Sequence, residues 1–312
     1  MSFSILRAMG LVLRTWPFIV LRIAISSLIG LAYVFAIGAG AGIGWAVGRA
    51  WEDMSPLGAL AGGFIGFCVA WGVFLWLRAW LVYFVKAGHV AALTLALAGE
   101  PLPLAFGQVG YALGVVRERF LEINALFVLD QLVRAAVAGV TGVLSGMASF
   151  TRVPVLEGLM AFISGVLQTS TQFVDEIILA YNVRNQSKDP WRTAQDALVL
   201  YAQNGWTILG NAIGLTVLTA VVGIFLLVII IGPAGAWAFY VQTPESYVAL
   251  AVSAVAAFVF LSAIMEPFCI ACLMQVFFTA IEGETPDPAW RQRLSGVSSK
   301  FEELGRRAAA SF

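Results

Sequence analysis

The chain has 312 residues, of which 60% are hydrophobic and 12% charged, with a mean hydropathy of +0.89. An ordinary soluble domain carries about a quarter charged residues, so this apolar excess cannot be hidden in one soluble core and lipid must be the solvent. Net charge is zero and the 18 basic residues are scattered along the chain, which excludes the clustered Lys and Arg footprint of a nucleic-acid binder.

In chain order, the first fifteen residues carry Arg7 and Arg14 and form an amphipathic stretch ending at Trp16. No small-residue cleavage site follows an apolar core of signal-peptide length, so no cleavage is expected. Apolar runs bounded by charge then predict membrane spans near 20–48, 57–85, 122–147, 155–182, 205–231 and 247–276, each reaching the roughly 20 residues a crossing needs. Between spans two and three, Pro103 opens a stretch that closes at Phe120; between four and five, Pro190 opens one that closes at Trp206. In the latter, Arg192, Gln195, Asp196 and Gln203 alternate at helical spacing with Ala197, Leu198, Leu200 and Tyr201, as suits a helix lying on the membrane surface. Pro288 begins a similar, more polar tail over 288–312, either a cytoplasmic amphipathic helix or a partner-binding segment.

The expected fold class is therefore all-α: one integral membrane domain over 1–312, six transmembrane helices arranged as three hairpins with interfacial amphipathic helices between them. A threefold internal repeat over 1–100, 101–187 and 188–287 follows from this pattern, with Gln108, Gln195 and Arg293 each five residues after an aligned proline. With the N-terminus inside, the cytoplasmic segments hold fifteen Lys and Arg and the external turns only Arg49 and Arg152. By the positive-inside rule this predicts a multi-pass protein of the cell's inner (plasma) membrane with both termini cytoplasmic.

Two glycine ladders, Gly40, Gly44, Gly48 and Gly58, Gly62, Gly66, have spacing four and fall on one helical face each. Such ladders let helix backbones approach closely; with no preceding strand, the segment is not a dinucleotide fingerprint. Cys269 and Cys272 lie on an apolar helix and read as small buried side chains. With His89 the one histidine, Cys and His alone cannot supply four zinc ligands. Lys86 and His89 are placed near the inner interface, where snorkelling accounts for the lysine. No metal or other cofactor is expected, and no nucleophile–base arrangement, P-loop or zincin motif points to an enzyme.

Ionisable groups inside spans are costly and mark pairs or polar cavities. Asp130 and Arg134 sit four apart in the third span, close enough to pair. The fourth span carries Gln168, Gln172, Asp175 and Glu176, and the sixth carries Glu266 beside Pro267. At ~1.5 Å per residue, Asp130 and Asp175 come out about 15 Å from the cytoplasmic end. Two readings stand. The set is interhelical glue that neutralises Arg134, or its surplus carboxylates line a cavity for a cation or proton. The functional candidates are accordingly a transporter or channel for a small solute or cation, and a non-catalytic scaffold or accessory subunit of a larger membrane complex. The partners would be the lipid bilayer, a small cation or solute, and other membrane proteins or a second copy of the chain, with no nucleic acid.

The segments FLSAIMEPFCIACLMQVFFTAIEG (260–283) and RTAQDALVLYAQN (192–204) resemble the last membrane segment and the cytoplasmic helix of the choline transporter-like family. They cover under a quarter of the chain, and that family is usually longer, with more spans and a large external loop. The resemblance implies organic-cation transport with Glu266 as counter-charge and aromatic faces such as Phe268 or Trp237 around the cation.

Overall fold

The computed structural model describes residues 2–50, 54–119, 173–187 and 189–310. Every regular element among them is helical: α1 (Ile5–Arg14), α2 (Trp16–Ala50), α3 (Ser55–Leu97), α4 (Gly107–Arg119), α5 (Val174–Asn185), α6 (Pro190–Gln203), α7 (Gly205–Val241), α8 (Pro244–Ala280), α9 (Pro288–Val297) and α10 (Ser299–Ala310). Among the described residues, four stretches are long and apolar enough to cross a membrane: α2, residues Ser55–Val73 of α3, α7, and α8 from Glu245. Only 6% to 12% of the residues in their apolar windows are buried within the protein. So large a bare apolar surface has no place in water, and the chain is a helical membrane protein. The predicted third span and the greater part of the fourth lie outside the described residues.

These helices are longer than a bilayer requires. α3 has 43 residues, roughly 65 Å at ~1.5 Å per residue, against a hydrocarbon core of about 30 Å. The helix that carries the predicted second span therefore runs past residue 85, unbroken to Leu97, and His89 lies inside it with no exposed surface. Gly99 ends the run at φ +83°, a conformation glycine adopts without strain, while the Glu100 amide donates to the Leu95 carbonyl at 2.9 Å.

The chain forms two compact units. One comprises Pro17–Lys86, the antiparallel pair made by α2 and α3. Its two glycine ladders face each other: a Cβ on Gly40 would collide with the Gly62 carbonyl, one on Gly44 with the Gly58 carbonyl, and one on Gly48 would lie 2.6 Å from the Met54 oxygen. Backbone touches backbone along the seam. Tyr33 and Phe67 extend it, with ring centroids 5.9 Å apart.

The other unit, Met1–Trp16 with Ala87–Phe312, contains most of the buried core. α6 packs against α5, α7, α9 and α10, while α8 packs against α1, α5 and α7. Their meeting point is aromatic: Phe277 has no exposed surface, and the rings of Phe278, Tyr181 and Tyr201 lie 5.6, 6.0 and 6.5 Å from it. The helix starts follow local chemistry. Asp189 caps α6 by accepting from the Trp191 and Arg192 amides, both at 3.1 Å, and Asp287 caps α9 by accepting from Ala289 at 2.7 Å. In both cases proline occupies the first turn, where its missing N–H costs nothing.

α6 differs from a surface helix in what it buries. Nine of its fourteen residues are buried, Thr193 and Gln195 among them. The tail covers its polar side: Arg291 donates to Gln195 Oε1 at 2.6 Å and pairs with Asp196, the Asp287 amide donates to Gln203 Oε1 at 3.0 Å, and the Arg307 guanidinium lies 5.1 Å from the Trp191 ring centroid. Residues 288–310 are thus two helices docked on α6, broken at Ser298. Within α10, hydrogen bonds from Lys300 and Arg307 hold the Glu303 carboxyl below its ordinary range. α1 shows two faces: Ala8, Leu11 and Val12 are buried, whereas Leu6, Met9 and Leu13 stand exposed. That exposed apolar stripe is suited to a lipid interface.

Candidate functional site

Of the intramembrane polar set, Asp130, Arg134, Gln168 and Gln172 lie outside the described residues. Asp175 and Glu176 occupy the first turn of α5, the former half-buried and the latter 3% exposed. There the positive end of the helix dipole favours carboxylates. Glu266 is half-buried on α8 beside Pro267, and Cys269 and Cys272 are buried free thiols on the same helix. Phe268 is 9% exposed and Trp237 45%. His89 Nε2 lies 3.0 Å from the Thr15 hydroxyl, whose own proton goes to the Leu11 carbonyl at 2.9 Å. The His89–Thr15 contact ties the end of α1 to α3.

The second compact unit contains a polar pocket of about 470 Å³ assembled from α1, α3, α5 and α8. Its floor is buried: Thr94 from α3, with Gln275 and Phe278 from α8. Gln275 has its whole amide engaged by main chain, at Ser4 and on its own helix. Its Oε1 accepts from the Ser4 amide at 3.2 Å, and its Nε2 donates to the Ala271 carbonyl at 3.2 Å and the Ser4 carbonyl at 3.5 Å. The Ser2 amide donates to Asn211 Oδ1 at 2.6 Å, adding a second tether to α7. Residues 2–7 are thereby made one wall of the pocket.

Two guanidiniums stand on the rim. Arg7 donates through Nη2 to the Leu97 carbonyl at 3.3 Å, and Arg184 lies over the Phe278 ring, 4.4 Å from its centroid. Neither is paired with a carboxylate among the described residues. Glu282 is on the same rim, so the three charged side chains leave the pocket net positive. Chemically the arrangement offers fixed cationic donors above a buried floor.

None of these pocket residues belongs to the intramembrane set singled out from sequence. Arg7 and Arg184 were legible only as charges that orient the chain, and Gln275 as one polar position on an apolar helix. Their convergence joins positions more than 270 residues apart, which spacing along the chain cannot report. Nor do the carboxylates Asp175, Glu176 and Glu266 line this pocket. No family model, curated protein or solved structure matches the chain.

Proposed function

We propose that the protein is a six-span inner-membrane transporter or channel that takes up a small solute at the cytoplasmic end of its helices. The observation that carries this reading is the polar pocket between Arg7, Arg184 and Gln275, built where long apolar helices pass into a buried polar layer. The carboxylates Asp175, Glu176 and Glu266 are the groups for a coupling proton or cation, since acids within membrane helices mark proton and ion pathways. Three hairpins with short helices between them, and a threefold repeat, remain the arrangement that the charge and proline pattern supports.

Orientation has a direct test. In intact cells a membrane-impermeant thiol reagent should label a cysteine introduced at Glu245 and not one at Lys188, in a background lacking Cys68, Cys269 and Cys272. External labelling at 188 would reverse the topology.

For transport, the purified chain is reconstituted into liposomes enclosing a pH dye, and an inward-negative potassium diffusion potential is applied. Protein-dependent proton or sodium entry is expected, and Asp175→Asn should abolish it while eluting as a monodisperse folded protein. Absence of flux in the wild type removes the transport reading; unchanged flux in Asp175→Asn removes that carboxylate from the coupling site.

A second reading, a non-catalytic scaffold or accessory subunit, is favoured by one feature: an open apolar groove of about 660 Å³ along the glycine seam of α2 and α3. Small residues along such a groove allow another helix backbone close approach. Co-purification of a stoichiometric membrane partner, together with absent flux, would support it.

A further inference from the structure

We infer that the pocket rimmed by Arg7 and Arg184 binds a phosphate-bearing anion, supplied either as free phosphate or as a phospholipid headgroup. The inference rests on the reading of this pocket as the solute site and specifies the chemistry of what enters it.

The donors decide the ligand. Gln275 has both amide hydrogens and its oxygen engaged by backbone, so it shapes the pocket and has no N–H left for a solute. Thr94 likewise donates its hydroxyl to the Val90 carbonyl at 2.7 Å. The remaining donors are the hydroxyls of Ser2, Ser4 and Thr279 and the two guanidiniums, and only the guanidiniums carry charge. A guanidinium carries five N–H groups; Arg7 uses one side-chain donor on Leu97, which holds the fork in place and leaves the rest. Arg184 has its guanidinium carbon over the Phe278 ring, a cation–π contact that spends none of its N–H groups. Two anchored forks with no carboxylate partner among the described residues match the oxygens of a phosphate, which guanidinium binds in bidentate fashion.

Charge points the same way. Two arginines against Glu282 leave about one positive charge, and a phosphate monoester carries ≈ −1.5 to −2 at pH 7. Glu282 therefore opposes the ligand rather than binding it. For a cationic solute the roles would be reversed, with Glu282 the binding group and the arginines opposing. The exposed Leu6, Met9 and Leu13 on α1, the helix that also supplies Arg7, bring the acyl region of a membrane next to the pocket, which is why the headgroup source is tested beside the free ion.

The test uses the full chain in detergent, titrated with inorganic phosphate at constant ionic strength, and in nanodiscs of phosphatidylcholine with or without phosphatidate. The readout is the thermal unfolding midpoint and the apparent affinity drawn from it. The wild type should be stabilised. Arg184→Gln should weaken the affinity by about tenfold or more, Arg184→Lys by less, because the point charge remains without the fork. Glu282→Gln should tighten it. Stabilisation by phosphate in detergent identifies the free ion, and stabilisation only in phosphatidate nanodiscs identifies the headgroup. The inference is overturned if neither probe stabilises the wild type, or if Arg184→Gln responds as the wild type does. Should Arg184→Gln fail to fold, Glu282→Gln decides: unchanged or weakened affinity overturns the anion. Missing phosphate binding with intact proton or sodium flux removes the ligand alone, and intact phosphate binding without flux removes transport alone.

Discussion

Phe277→Ala should destabilise the protein by about 3–5 kcal/mol, the usual cost of removing a large aromatic from a core that cannot collapse around the gap. Phe277 has no exposed surface and touches the rings of Tyr181, Tyr201 and Phe278, so one deletion loosens α5, α6 and α8 together. The loss should be read from the unfolding midpoint in detergent. Phe258→Ala on the same α8 is the control, since Phe258 is 68% exposed and its ring exchanges one apolar surrounding for another. Equal losses at both positions would mean that the packed layer around Phe277 does not hold the structure.

Gly44→Leu should disrupt the α2–α3 pair. Even a methyl group at Gly44 would collide with the Gly58 carbonyl, and one at Gly62 with the Gly40 carbonyl. The obstacle is main chain, which cannot rotate away as a side chain can. Overpacking of this kind costs ~1–3 kcal/mol or more, and the helices must separate along the seam. Gly30→Leu is the matched control on α2, because no atom lies within 4 Å of a Cβ built there. A pair of cysteines at Ala41 and Gly63, where a Cβ on Gly63 would lie 3.5 Å from the Ala41 Cβ and so within disulfide range, should form a disulfide less readily when Gly44→Leu is added, and not when Gly30→Leu is. Wild-type cross-linking and stability in Gly44→Leu would remove the close-packed seam.

What sequence alone determined is what depends on solvent and on local spacing. An apolar run of span length has one favourable surrounding, so membrane residence follows for α2, α7 and α8 without any contact being known. The glycine ladders are equally local: spacing four places the residues on one face, and absent side chains announce a close approach, which α2 and α3 make. Pro190 and Pro288 mark helix starts because a missing N–H is tolerated in the first turn and not beyond it. Tertiary structure decided where polar groups meet. The face of α6 that carries Gln195 and Asp196 reads as solvated until Arg291 arrives from about a hundred residues away, since amphipathic periodicity records that a polar face exists and not what satisfies it. Arg7 and Arg184 count along the chain only as charges on the inner side. They become the rim of one pocket because Gln275 pins residue 4 across the bundle and Phe278 seats a guanidinium, contacts set by three-dimensional packing rather than by any period of the sequence.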